Sequence, residues 1–176
     1  MAANKPRGRR PWLDDMQLDE SGKYAYRGSH MKFAGDDAAF RRFRLFLGIC
    51  TAMLVLCPVA AGCLNVGVLD NTAYVLIPYM LEVVFTAAFA WASVRLLTKG
   101  SVVRSYIYKQ TVQRLPVLCV LLAVAAGSTA VGAAVCSACE NAWRGIVIVY
   151  LLLHTVECLL SVMAFFLLRH TSWSEI

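Results

Sequence analysis

Four long apolar runs, separated by short polar segments, dominate the pattern of the chain. Each run is about 20 residues or longer, which is the length that a helix needs to cross roughly 30 Å of hydrocarbon. The runs lack the polar outer face that helices of a soluble bundle carry. We therefore predict an all-α membrane protein with four transmembrane helices, at residues 45–68, 73–97, 115–135 and 145–168.

Hydrophilic segments flank this predicted bundle at both ends of the chain. Residues 1–44 form an N-terminal tail, and residues 169–176 form a short C-terminal tail. Asp36 or Asp37 stands just before the sequence AAFRRFR, where a carboxylate can cap the first turn of a helix. The first membrane helix is thus expected to continue an interfacial helix that begins inside the tail.

The N-terminal tail also carries an alternating pattern of aromatic and polar residues. Tyr24 and Tyr26 precede the sequence RGSH, and Met31 and Phe33 follow it. Alternation on both sides of a turn-forming sequence favours a small β-hairpin at the membrane surface. The alternative is an irregular tail that is ordered only by contact with the bundle.

Composition and charge support the membrane prediction and add an orientation. The chain is 59% hydrophobic and 16% charged, whereas soluble domains average roughly 45–50% apolar and 25% charged residues. Of its 17 Lys and Arg residues, only Arg144 lies outside the two tails and the segment from Arg95 to Arg114, which ends the second helix and leads to the third. Positive segments stay in the cytoplasm, so both termini are predicted to be cytoplasmic, with the protein in the plasma membrane. The lipid bilayer is the expected partner of the basic tail, and nucleic acid is not.

Two stretches of the chain resemble each other closely enough to suggest an internal repeat. The sequences VAAGCLNVG (59–67) and VAAGSTAVG (124–132) agree at six of nine positions. In the helices that follow, Glu82 aligns with Glu157 and Tyr79 aligns with His154. Two copies of one helical hairpin, related by an axis along the membrane normal, would give this pattern. A chance similarity between Ala-rich segments is the alternative.

Glu82 is the one charged residue between Ala73 and Val94, and a membrane acid is costly unless it faces the bundle interior. His154 and Glu157 are three residues apart and share a helix face. At a rise of ~1.5 Å per residue, Glu82 lies about 12 Å along the helix from Tyr74. Counted from Gly145, His154 and Glu157 lie about 14 and 18 Å along theirs. We therefore predict that Glu82 reaches His154 or Glu157. The cluster is either a site for a proton or substrate, or a set of hydrogen-bonded interhelical clamps.

The cysteines and histidines are candidates for disulfide, redox or metal chemistry. Cys136 and Cys139 form a C-x-x-C pair at the predicted outer end of the third helix, where a disulfide is permitted. A thiol oxidoreductase would relay electrons between two cysteine pairs, and only one outer pair exists, so we do not expect an enzyme. His154 and Glu157 form H-x-x-E with Glu82 as a third ligand, but di-iron bundles need two such motifs. No metal or cofactor is therefore predicted.

Two function classes follow from these features. The first is a small transporter or channel-like protein that uses Glu82, Glu157 and His154, as a homo-oligomer because four helices enclose little space. The second is a non-catalytic membrane scaffold or accessory subunit, whose N-terminal tail binds a partner membrane protein. An interior cavity that reaches the acids favours the first class, and a packed interior favours the second.

The predicted orientation can be tested by cysteine labelling. In a variant without the seven native cysteines, Ser21→Cys should react with a membrane-impermeant maleimide only after the cells are permeabilised, because the basic side stays inside. The control Asn141→Cys, in the loop between the third and fourth helices, should react in intact cells. Labelling of Ser21→Cys in intact cells would contradict the orientation.

Overall fold

The computed structural model describes residues 16–18, 24–26, 29–67, 69 and 72–176, and for 16–18 and 24–26 it describes the backbone alone. These residues form five strands and five helices. In chain order the elements are β1 (Met16–Leu18), β2 (Tyr24–Tyr26), β3 (His30–Phe33), α1 (Asp37–Gly62), α2 (Ala73–Leu97), β4 (Val102–Arg104), α3 (Ser105–Gln110), α4 (Leu115–Cys139), α5 (Gly145–His170) and β5 (Trp173–Glu175).

Four of the helices are long and apolar enough to cross a membrane: α1, α2, α4, which follows α3 directly, and α5. Their outer faces expose large apolar side chains, including Leu45, Trp91, Val131 and Leu159. Exposing so many apolar side chains is unfavourable in water, whereas it is not among lipid tails. The expectation of a mostly helical fold with four long apolar helices is therefore confirmed.

The ends of the helices follow local capping chemistry and differ from the predicted bounds. The helix α1 begins at Asp37 and continues through the apolar run that starts at residue 45, as the expected cap indicated: the Asp36 carboxylate accepts a hydrogen bond from the Ala39 N–H at 2.7 Å. It ends at Gly62 rather than at residue 68, and α4 continues to Cys139 rather than stopping at residue 135. Just beyond α4, Asn141 has a positive φ of 50°, a conformation that Asn adopts readily after a helix end.

The four long helices form a ring in which α1 contacts α2, α2 contacts α4, α4 contacts α5, and α5 contacts α1. The helices α2 and α5 are thus diagonal partners across the interior, and so are α1 and α4. Two parallel copies of one hairpin, α1–α2 and α4–α5, would produce this arrangement around a two-fold axis. The internal repeat itself stays a prediction.

A three-stranded antiparallel sheet closes one end of the bundle. The strand β3 lies in the middle, with β4 on one side and β5 on the other. The Phe33 ring of β3 contacts the rings of Trp173, Phe40 and Phe43 at centroid distances of 5.3 to 5.8 Å. The N-terminal tail, the α2–α3 connection and the C-terminal tail therefore meet at the same end of the bundle.

This sheet replaces the hairpin that the sequence favoured. The strand β2, with Tyr24 and Tyr26, pairs with β1, while β3, with Met31 and Phe33, pairs with β4 and β5. The β2–β3 pairing was thus wrong. In the middle of a sheet, β3 has hydrogen-bonding partners on both edges, and Phe33 gains an aromatic cluster that a hairpin on the surface would not supply.

Helices α2 and α4 approach each other closely at Gly132. A methyl group added there would lie 2.9 Å from the Tyr74 carbonyl oxygen, a backbone atom that cannot turn away. A methyl group added at Gly127, on the same helix, would have Cys158 Sγ at 3.8 Å as its nearest neighbour. The two glycines therefore differ in the space around them.

We predict that Gly132→Ala lowers the free energy of unfolding by about 1–3 kcal/mol, because the helices must separate to admit the methyl group. The control Gly127→Ala should be neutral, or stabilise by up to about 1 kcal/mol through its better helix propensity. Unfolding of the purified protein in detergent micelles measures both changes. Equal effects of the two substitutions would contradict the close approach at Gly132.

Candidate functional site

Three ionisable side chains meet in the centre of the helical ring. Glu82 projects from α2, and His154 and Glu157 project from α5; all three are 0% exposed. One potential ligand atom from each of them lies within 4.8 Å of the other two. The predicted contact of Glu82 with His154 or Glu157 is therefore present.

The positions of these side chains follow from helix geometry. His154 and Glu157 lie on one face of α5 because they are three residues apart, and that face points to the diagonal helix α2. Glu82 is about 14 Å from the start of an α2 helix of ~38 Å, and Glu157 is about 18 Å along an α5 helix of ~39 Å. The cluster thus lies near the middle of the apolar helices.

Side chains from two other helices, α5 and α4, contact the Glu82 carboxyl group. Its Oε1 atom lies 2.7 Å from Nδ1 of His154 on α5, and either the imidazole N–H or a protonated carboxyl can donate in this bond. The Thr129 hydroxyl on α4 donates to Oε2 of Glu82 at 3.1 Å. The same hydroxyl lies 3.0 Å from the carbonyl oxygen of Ala125, so a single hydrogen atom has two candidate acceptors.

Glu157 is only half satisfied. The Thr86 hydroxyl on α2 donates to its Oε1 atom at 3.1 Å. Within the part of the chain that the structure describes, Glu157 Oε2, His154 Nε2 and Ser161 Oγ are buried without a hydrogen-bond partner. An unsatisfied buried polar atom costs about 1–3 kcal/mol, so such atoms in one cluster indicate a place for a further proton, ion or water.

Aromatic rings position the imidazole. The Tyr150 ring lies 4.4 Å from the His154 ring, edge to face, and the Tyr79 ring lies at 5.9 Å. The Tyr79 hydroxyl donates to the carbonyl oxygen of Pro58 at 3.1 Å, which holds this ring against α1. Sequence reasoning missed Tyr150, although its spacing of four residues from His154 places it on the same face of α5.

The C-x-x-C pair lies apart from this cluster. Cys136 and Cys139 are free thiols, so the structure does not contain the disulfide that the sequence permitted. Both lie on the continuous helix α4, and their surroundings differ. Cys136 is buried with its Sγ atom 3.6 Å from the Thr72 hydroxyl, while Cys139 is exposed.

The largest of the described cavities does not touch the cluster. It has a volume of about 730 Å³ and lies between the sheet end of α1 and the end of α5. Its lining includes Phe33, Arg42, Ile49 and His170, and it includes none of the three clustered residues. Glu82, His154 and Glu157 are thus enclosed by packed side chains.

Two carboxyl groups and an imidazole in contact, shielded from solvent, can bind a proton or a cation.

Comparisons of the chain with known protein families, with curated proteins and with solved structures found no match.

We predict that Thr129→Val, which removes the hydroxyl that contacts Glu82, lowers the free energy of unfolding by about 0.6–2 kcal/mol, the range for hydrogen bonds between membrane helices. The control Thr155→Val should be nearly neutral, because this exposed hydroxyl donates only to the Leu151 carbonyl oxygen of its own helix. Unfolding in detergent micelles measures both variants. Thermal stability that is the same for Thr129→Val and the parent would show that the hydroxyl does not clamp α4 to α2.

Proposed function

We propose that the chain is a small multi-pass membrane transporter or channel-like protein, in which Glu82, His154 and Glu157 bind a proton. The observation that carries this proposal is the contact of three fully buried ionisable side chains near the middle of four apolar helices. Ionisable residues inside membrane segments are costly, and in pumps and transporters they form proton relays and ion pathways. Substrate and ion sites of transporters also lie near the bilayer midplane.

The hydrogen-bond pattern supports a bound proton. A protonated Glu82 can donate from Oε2 to the Thr129 hydroxyl, which then donates to the Ala125 carbonyl oxygen, while Oε1 accepts from His154 Nδ1–H. Each of these contacts measures 2.7 to 3.1 Å. With this one added proton, every polar atom of the Glu82 and Thr129 side chains has a partner of the correct type.

The same contacts offer a path for the proton. When Glu82 is ionised, His154 Nδ1–H can pass its proton to Glu82 Oε1 across the 2.7 Å contact. His154 Nε2 and Glu157 Oε2 are without a partner among the described residues, so an entering water molecule can give Nε2 the replacement proton. A relay of this kind would run from water through the imidazole to Glu82.

The cellular setting that we propose follows from the charge distribution. The protein lies in the plasma membrane with both termini in the cytoplasm, because the basic segments favour that side. The common sheet β4–β3–β5 agrees with this orientation, since it joins both tails and the α2–α3 connection at one end. A homo-oligomer would provide the wider path that four helices alone do not enclose.

A non-catalytic membrane scaffold or accessory subunit is the second candidate, with its N-terminal tail as the partner-binding segment. The packed interior favours it, as expected for this class: the clustered residues are 0% exposed, and Thr86 and Thr129 bond the acids across helices. Contacts of this kind stabilise a membrane bundle without any transport. In that case the acids serve only as interhelical clamps.

Proteoliposomes with an internal pH-sensitive dye separate the two candidates. The parent protein should pass protons when a membrane potential is applied, and Glu82→Gln and Glu157→Gln should abolish this flux, because an amide cannot relay a proton. The control Glu140→Gln makes the same change at an exposed acid beyond the end of α4 and should leave the flux intact. If the parent passes no protons, or if folded Glu82→Gln and Glu157→Gln variants pass them normally, the scaffold candidate is favoured.

A further inference from the structure

We infer that Glu82, His154 and Glu157 together bind one divalent transition-metal ion of the zinc class between α2 and α5. The inference rests on the proposed function, because it names the class of cation that the intramembrane site takes besides a proton. It revises the expectation of no metal, which was based on the requirement of di-iron bundles for two H-x-x-E motifs.

The donor set decides the class of ion. One imidazole nitrogen and two carboxylate oxygens form a three-ligand set of the kind that zinc sites use when a fourth position stays open. Ca²⁺ prefers six to eight oxygen ligands, and Mg²⁺ prefers a nearly octahedral set of oxygens that includes several waters. A packed site that contains one nitrogen and two acids suits neither of them.

Charge favours a divalent ion at this depth. Two ionised carboxylates and a neutral imidazole carry a charge of −2, which one M²⁺ ion cancels. The resulting complex is neutral, whereas a monovalent ion would leave a net charge among apolar helices, where an uncompensated charge is costly. When the ion enters, the proton shared by Glu82 and His154 leaves, since metal ligands bind in their deprotonated forms.

The distances permit such a complex with small side-chain movements. Zinc bonds to nitrogen and oxygen of about 2.0–2.2 Å place two ligand atoms of a tetrahedral ion roughly 3.4 Å apart. Glu82 Oε1 and His154 Nδ1 are now 2.7 Å apart, as a shared proton requires, and all three potential ligand atoms lie within 4.8 Å of one another. To hold the ion, the contact between Glu82 and His154 would lengthen, and the longer distances from Glu157 to these two residues would shorten by about 1 Å.

The threonines supply the outer hydrogen bonds that metal ligands generally have. Thr129 donates to Glu82 Oε2, and Thr86 donates to Glu157 Oε1. Each acid therefore has one oxygen oriented by a threonine and one oxygen left for the ion. Glu157 Oε2 is one of the buried atoms that the described protein groups leave without a partner, and a metal ion would satisfy it.

Metal content of the purified full chain is the direct test. After removal of bound metals and incubation with Zn²⁺, the desalted parent protein in detergent should retain about one zinc per chain by elemental analysis. Glu82→Gln and Glu157→Gln should weaken zinc affinity at least tenfold, and Thr86→Val, which alters an outer hydrogen bond, should weaken it by about 10–100-fold. The control Ser93→Ala changes a buried hydroxyl of α2 about 16 Å along the helix from Glu82 and should bind as the parent does.

Cobalt gives a second readout on the parent alone, which does not depend on whether a variant folds. Co²⁺ in the site should show the intense visible ligand-field bands of a tetrahedral complex, and added Zn²⁺ should remove them. The absence of these bands, or equal zinc retention by the parent and a folded Glu82→Gln/Glu157→Gln double variant, would overturn the inference and leave water as the partner of the unsatisfied atoms.

Flux measurements keep this inference separate from the proposed function. Proton flux through metal-free proteoliposomes, combined with no zinc binding, would support the transporter and overturn the metal site. Zinc binding at one ion per chain, combined with no proton or zinc flux, would support the metal site and contradict the transporter.

Discussion

The contact between Glu82 and His154 is the interaction on which the interior of this protein depends. It joins α2 to α5, which lie diagonally across the ring, and it does so where neither water nor lipid can satisfy a polar group. A single carboxylate in that place would be strongly unfavourable. With the imidazole on one oxygen and the Thr129 hydroxyl on the other, the acid becomes the point at which three helices are held together.

The rest of the bundle is consistent with this polar centre. Apolar side chains such as Trp91 and Val131 face outward, so the packing of the helices cannot rely on burial from water once lipid surrounds them. Van der Waals contact between closely packed helices supplies part of the stabilisation instead, as where Gly132 of α4 lies against the Tyr74 carbonyl oxygen of α2. At one end, the sheet β4–β3–β5 ties both tails to the α2–α3 connection, which limits how far the two hairpins can move apart.

The proposed proton and the proposed metal ion are alternative occupants of one arrangement. The short contact between Glu82 Oε1 and His154 Nδ1 suits a proton, while the set of three ligand atoms within 4.8 Å suits an ion that displaces it. In both cases the unsatisfied Glu157 Oε2 is the feature that a purely structural clamp leaves unexplained. An enclosed site of this kind would require movement of the helices for exchange, and the contacts of Glu82 with His154 and of Thr86 with Glu157 would have to open for it.

The sequence by itself determined the four long apolar helices, because their length and lack of charge leave few alternatives, and it identified Glu82, His154 and Glu157 through the cost of an acid in an apolar run. It also indicated the cap at Asp36, since capping is local chemistry. Tertiary structure alone decided the partner of β3, because strands that pair across the whole chain leave no short-range signal. It also decided which threonine bonds which acid, Thr129 to Glu82 and Thr86 to Glu157. Those contacts depend on the order of helices around the ring, which the apolar runs do not encode because each is hydrophobic on every side.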